Sequence, residues 1–241
     1  METTVLVCGI GAAILIGIAK TGIPGAGILM VPLLSMAFPG KGVVGILLPM
    51  LLAGDIFAVL RYHRHTDWKK LLKLFPFVVP GLAAGFLLLI IIDKTLFKPF
   101  LGGLILVLII IEIARRKFKW ENLPDTWWFS AVFGFLGGFA TAVGHAAGPV
   151  MGIYLLSRKS EKEEFMGTRA WFFFIVNTAK IPVYIPAGIL TDQYLAFNLM
   201  MAPFIVIGVL LGFYLLPKVP QKAFNAIVLM LAAAAAMKML F

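Results

Sequence analysis

The sequence predicts an all-α polytopic membrane protein built as an inverted repeat, each half a broken helical hairpin followed by three transmembrane helices. Three observations carry this reading. Of 241 residues, 61% are hydrophobic and 13% charged, with a mean hydropathy of +1.01, far from the roughly 25% charged composition of soluble domains. Uncharged stretches of bilayer-crossing length recur along the whole chain. A Gly-rich interruption, Gly17-Ile-Ala-Lys-Thr-Gly-Ile-Pro-Gly-Ala-Gly27, returns altered as Gly137-Gly-Phe-Ala-Thr-Ala-Val-Gly-His-Ala-Ala-Gly148.

The elements follow in order. Thr3 to Phe38 is too long for a single span, which needs about 20 apolar residues, and it breaks at its Gly-rich centre. Helices are expected next at 43–60, 74–92 and 97–114. Thr126 to Ser157 repeats the broken segment, and helices are expected after it at 165–187, 193–217 and 222–240. The halves divide as 1–119 and 120–241. At membrane depth, irregular backbone is tolerated only inside protein or beside a polar cavity, so paired interruptions at matching positions mark a candidate binding site. The structural alternative is a Gly-mediated helix crossing, which needs no proline of the kind seen at Pro24.

Charge chooses between a kinked span and a hairpin for each broken segment, because cytoplasmic loops are enriched in Lys and Arg. If both segments return to the side they came from, one side collects Arg61, Arg64, Lys69, Lys70, Lys73, Arg115, Arg116, Lys117, Lys119, Arg158, Lys159, Lys162, Lys218 and Lys222. The other keeps Lys41, Lys94, Lys98 and Lys238, a partition of 14 against 4. Single crossings would instead put the basic loops of the two halves on opposite sides. The hairpin arrangement is therefore expected, with loops 61–73, 115–119, 158–162 and 218–222 cytoplasmic and both termini outside a cell (inner or plasma) membrane. Each half then has an odd number of crossings, which inverts one half relative to the other. Thr21 matches Thr141, Asp55 matches Asn177 and Pro80 matches Pro203 in the same order, at offsets of 120, 122 and 123 that drift as small loop insertions would cause, and Gly81-x-x-x-Gly85 and Gly208-x-x-x-Gly212 fall on equivalent helices as packing motifs.

Composition also excludes classes. The single cysteine, Cys8, allows no internal disulfide and no Cys-based metal cluster. The net charge of +10 comes from short loops between apolar runs, a distribution that sets orientation and does not suggest nucleic-acid binding. The first apolar run lacks a basic n-region and a clear cleavage signature, so a cleaved signal peptide is not expected. No Walker A sequence, dinucleotide fingerprint or His-x-x-x-His pattern is present, and no cofactor, metal or catalytic residue is expected. His63-Arg-His65 reads as a solvated loop, and Trp68, Trp120, Trp127 and Trp128 as interface anchors.

Several strings resemble the TauE/SafE family of membrane transporters, the sulfite exporter family. They are Thr21-Gly-Ile-Pro-Gly-Ala-Gly27 with Val31-Pro32, Ala146-Ala-Gly-Pro149 with Tyr154-Leu-Leu156, and Gly167-Thr-Arg-Ala-Trp-Phe-Phe173 continuing to Asn177 and Lys180-Ile-Pro182. The resemblance covers nearly the whole chain. It implies a helical permease, not an enzyme, that moves sulfite, sulfonates or related organosulfur anions; the family pattern often carries Asn where this chain has His145. The alternatives are an anion channel and a permease for another small organic anion.

An oxyanion leaving water needs donors and positive charge. Backbone N–H groups at Gly25, Ala26 and Gly27, and at Ala146, Ala147 and Gly148, are expected to open the second arm of each hairpin and face an anion, with Gly22 and Gly144 leaving room for close approach. Thr21 and Thr141 either offer hydroxyls to the ligand or bond back to the preceding turn. Lys20, at the tip of the first hairpin, is either the anion's counter-charge or an ion pair with Asp55. Lys180, beside Asn177, invites the same two readings, with snorkelling as the third. Asp55 is a candidate for proton coupling or for a helix-to-helix hydrogen bond, His145 for proton coupling or for a neutral hydrogen-bond donor, and Arg169 either captures an incoming anion or, more simply, anchors its helix at the interface. The expected partners are a small anionic substrate, the lipid bilayer and a proton or ion gradient, with a homodimer left open.

Overall fold

The computed structural model describes residues 3–22, 26–38, 40–118, 126–157 and 162–215, with Met230, Ala233, Ala234 and Met237 beyond them. Gly25, the basic residues at 158–161 and 218–222, and all but those four residues of the last expected span lie outside this set. Of the described residues, 89% are helical, and none is in a strand. Nine helices are described: α1 (Thr3–Thr21), α2 (Met30–Ser35), α3 (Gly42–Tyr62), α4 (Trp68–Ile91), α5 (Lys94–Lys117), α6 (Trp127–Gly144), α7 (Gly148–Ser157), α8 (Lys162–Tyr184) and α9 (Leu195–Leu215). Five stretches, Thr3–Thr21, Gly42–His65, Trp68–Ile91, Trp127–Gly144 and Asp192–Tyr214, are long and apolar enough to cross a membrane. α8 is equally long at 23 residues, or about 34 Å, but its charged residues keep it out of that group.

Two boundaries depart from expectation for identifiable reasons. α4 starts at Trp68, six positions before the expected start, because Asp67 caps it by accepting the Lys70 N–H at 3.1 Å. Lys69, Lys70 and Lys73 then ride on a helix whose first turn reaches the interface. α8 stops at Tyr184, where the approach to Pro186 disfavours further helix, and the chain reverses through Gly188 at φ +67°.

Each broken segment has one long arm and one short one. α1 has 19 residues and α6 has 18, whereas α2 has 6 and α7 has 10. Contacts fix the direction of each. Gly9 lies against Phe197, and Phe38 packs edge-on against the same ring at 5.1 Å, so α1 starts and its segment ends at one face. The tip lies toward the other face, where the Tyr62 hydroxyl donates to the Thr21 carbonyl at 2.9 Å. α6 runs the opposite way: its tip residue His145 bonds to Val44 near the start of α3, and Tyr154 of the returning arm donates to Lys70 near the start of α4. Both broken segments thus turn back to the face they came from, one from each side.

The chain positions 61–73, 117 and 162 consequently share one face, called the basic face below. Lys41 and Asp93 mark the opposite one, where Lys41 donates to the Ile90 carbonyl at 3.0 Å. His65 pairs with Glu163 at 3.3 Å, and Lys70 bridges Asp67 and Glu164, tying the α3–α4 turn to the start of α8.

Helix packing is dominated by two parallel pairs, α4 with α6 and α1 with α9. Small residues make both possible. A Cβ on Gly81 or Gly138 would strike the carbonyl of Phe135 or Val78, and a Cβ on Gly208 or Gly17 would strike Ile14 or the Gly208–Val209 backbone. The Gly81/Gly85 and Gly208/Gly212 motifs each receive the long arm of a broken segment. The antiparallel pair α3 and α8 crosses between them, with Gly45 against the Ile189 carbonyl and Gly167 against Tyr62 and His65.

Candidate functional site

The two breaks and the α3–α8 crossing enclose a cavity of about 30 Å³, lined by Lys20, Gly27 and Met30 from the first segment and Thr141, His145 and Gly148 from the second. Leu51 of α3 and Arg169, Phe173 and Asn177 of α8 complete the wall. A space of that size holds about two waters.

Asp55, fully buried on α3, is the centre of the polar network. Its Oδ1 accepts from Lys20 Nζ at 2.5 Å and its Oδ2 from Asn177 Nδ2 at 2.7 Å. A carboxylate needs donors, so the Asn177 amide is oriented by this bond and its Oδ1 is left as an acceptor without a partner. Lys20 is therefore ion-paired and still lines the cavity, 4.5 Å above the Phe173 ring centroid. The two readings of Lys20 hold together: the pair supplies its partner, and the cavity wall keeps it near a ligand.

Lys180 makes the corresponding cross-link in the other half. Its Nζ donates to the Thr141 carbonyl and approaches Thr141 Oγ1 and His145 Nδ1, each at 3.0 Å. It is 3% exposed, which rules out snorkelling, and it stands behind the cavity wall. The Thr141 hydroxyl is taken up by Lys180. Thr21 bonds back to Gly17 at 2.8 Å and faces α9, so the back-bonding reading describes it.

His145 is the one described non-Gly residue at positive φ, at 52°. It ends α6 in a left-handed cap: its own N–H donates to Thr141 and the Ala146 N–H reaches back to Ala140, both at 3.1 Å. That corrects the expectation for Ala146, whose N–H closes the cap and is not offered to a ligand. Ala147 and Gly148 have no acceptor among the described residues, Pro149 has no N–H, and α7 starts there. His145 Nε2 lies 2.9 Å from the Val44 carbonyl, which can only accept. The ring therefore carries its hydrogen on Nε2 and accepts from Lys180 on Nδ1. That arrangement matches the neutral hydrogen-bond donor of the two readings of His145.

In the first break, Gly22 donates to the Ile18 carbonyl at 3.1 Å, extending α1, while Gly27 sits in the 3-10 turn Ala26–Leu29 and on the cavity wall. Gly144 packs under Leu101 and does not line the cavity. Arg169 corrects a further expectation. It lies 6% exposed in the cavity wall, its NH1 donating to the Ala19 carbonyl at 3.1 Å and its guanidinium 5.4 Å from the Phe173 centroid. α8 begins at Lys162, so Arg169 is about two turns inside the helix, too deep for an anchor.

Two tyrosines absent from the sequence reading hold the long arms. Tyr62 caps the end of α1 at the Thr21 carbonyl, and Tyr184 donates to the Ala142 carbonyl of α6 at 2.6 Å. Their separation of 122 positions equals that of Asp55 and Asn177 and of Gly45 and Gly167. That shared offset was the available signal.

Among the described residues, no group of His, Cys, Asp and Glu is placed to hold a metal ion. No curated protein and no solved structure gives a significant match to the chain. The family profile described as "Sulfite exporter TauE/SafE" matches residues 9–239. The chain is a multi-pass membrane protein belonging to that family of exporter-type transporters.

Proposed function

We propose that the protein is a secondary carrier exporting small sulfur-containing anions, sulfite or sulfonates, by alternating access between two inverted halves, 1–119 and 120–241. The observation that carries this reading is the small cavity between two broken segments of opposite insertion, with Lys20 and Asn177 in its wall. A site shared by the two halves suits a carrier that rocks one half against the other.

Several contacts support the inverted repeat. α1 on α9 and α6 on α4 are the same pairing under exchange of the halves, and Gly45 with Gly167 and Tyr62 with Tyr184 make equivalent contacts at one offset. The Asp55–Asn177 bond then lies on the exchange axis. Of the proposed site residues, Lys20, Gly27, Thr141, His145, Ala146, Gly148 and Asn177 line the cavity. Asp55, Lys180, Thr21, Gly22, Gly144 and Ala147 shape the breaks from behind.

The basic face is cytoplasmic under the positive-inside rule, and the N-terminal end of α1 lies outside. An anion reaching Lys20 from that face is drawn by the same loops that fix orientation. Asp55 is the group that would link transport to a proton gradient, since an anion approaching Lys20 competes with its carboxylate.

Counterflow in proteoliposomes tests the whole reading. Labelled sulfite or sulfoacetate should accumulate transiently when unlabelled anion is trapped inside, and the flux should saturate. Linear flux with no acceleration by trapped anion would make the protein a channel, and no flux of either anion with folded protein would sink the assignment.

A further inference from the structure

We propose that Arg169 and the start of α7 form an oxyanion subsite that receives the sulfonate or sulfite group itself. The inference rests on the transport reading above and names the receptor that reading leaves open. Arg169 is buried, yet its Nε has no hydrogen-bond partner, and its NH1 bonds only to a neutral carbonyl. A guanidinium presents five donors in a fixed fork. Buried polar groups are otherwise satisfied as a rule, and a buried cation without a counter-charge is expensive.

The nearby charges do not cover it. Lys20 and Arg169 both face the cavity, and Asp55 is the one carboxylate within the cluster, already held by Lys20 and Asn177. Lys20, Arg169 and, behind the cavity wall, Lys180 share this one anion among the described residues, an excess of positive charge that a bound anion would offset. Phe173 lies against Lys20 and Arg169 and separates them from the apolar core.

The second half of the subsite is backbone. α7 is a ten-residue helix whose first N–H, at Gly148, is without an acceptor among the described residues. A Cβ on Gly148 would stand 3.9 Å from an Arg169 terminal nitrogen, ordinary contact distance, so the helix start and the guanidinium are neighbours on the cavity wall and can engage the same oxyanion. The fork geometry selects for ligands with two equivalent oxygens over a halide. Asn177, whose Oδ1 is without a partner among the described residues, starts from a backbone position about 12 Å further along α8 and lines the same cavity.

Binding is measured by titration calorimetry and thermal shift on the full chain in detergent, with sulfite, sulfoacetate, sulfate and chloride as probes. The wild type should bind sulfite or sulfoacetate in preference to chloride. Arg169→Gln should weaken that binding about tenfold to a hundredfold, the loss expected for a charged hydrogen bond, and Arg169→Lys should lower the oxyanion-to-chloride preference because a lysine lacks the fork. Gly148→Ala, whose added methyl fits without a clash, should weaken oxyanion binding and leave the melting temperature of the ligand-free protein unchanged. If Arg169→Gln does not fold, Arg169→Lys and Gly148→Ala decide. Unchanged oxyanion affinity and selectivity in the folded variants overturns the subsite and leaves the carrier intact. Failure of the wild type to bind any probe overturns both.

Discussion

Lys20 shows how a single contact changes the expected behaviour of a variant. Its partner Asp55 is fully buried and keeps only Asn177 if the ammonium is removed. Truncating one member of a buried pair costs about 3–5 kcal/mol, whereas replacing both members together is often neutral. Lys20→Ala is therefore expected to lower the melting temperature strongly in detergent, while Lys20→Met combined with Asp55→Leu recovers most of it and abolishes transport. A double variant as unstable as Lys20→Ala would show that Asp55 is not the group left stranded. Residue roles were unevenly legible. That Lys20 must have a partner followed from the cost of a buried charge, and Asp55 was one of the two candidates. Arg169 was placed too near the helix end because the first turn of α8 carries Lys162, Glu163 and Glu164, which look like loop in a hydropathy profile and hid almost one turn of helix before it.

At the level of the helices, the small-residue motifs decide which arms pack together. A side chain at Gly81 would meet the carbonyl of Phe135, and one at Gly208 the carbonyl of Ile14, both backbone atoms that cannot swing aside. Gly81→Val and Gly208→Val should each destabilise by about 1–3 kcal/mol, the usual cost of overpacking, read as a fall in melting temperature of similar size for the two. A fall at one position alone would mean that the two parallel pairs are not equivalent in strength. These motifs were visible in the sequence as packing signals. Their partners were not, because nothing in the order of the chain places α1 beside α9; only the direction of each hairpin does. The prolines illustrate the same division: Pro49, Pro76, Pro80, Pro182 and Pro203 all sit inside helices, tolerated where neighbours satisfy the freed carbonyls, whereas Pro186 ends one.

For the molecule as a whole, orientation is the property that charge alone encodes. Cys8, the single cysteine, is buried, so the native chain offers a quiet background for labelling. His65→Cys should react with an impermeant maleimide only from the cytoplasmic side of oriented vesicles, and Lys41→Cys only from the other. Reaction of both from one side would reverse the assignment of the basic face. The count of loop charges predicted this sidedness before any contact was known, since it depends on where charges fall between spans and not on how helices pack.

The crossed pairing of long arms also bears on how the chain is made. α1 precedes its main partner, α9, by most of the described chain, and α4 likewise precedes α6. During synthesis α1 therefore has α2 and α3 beside it but not yet α9, and the glycine faces of α1 and α4 stay open until the later helices arrive. Assembly of this protein is a closing act performed by its second half.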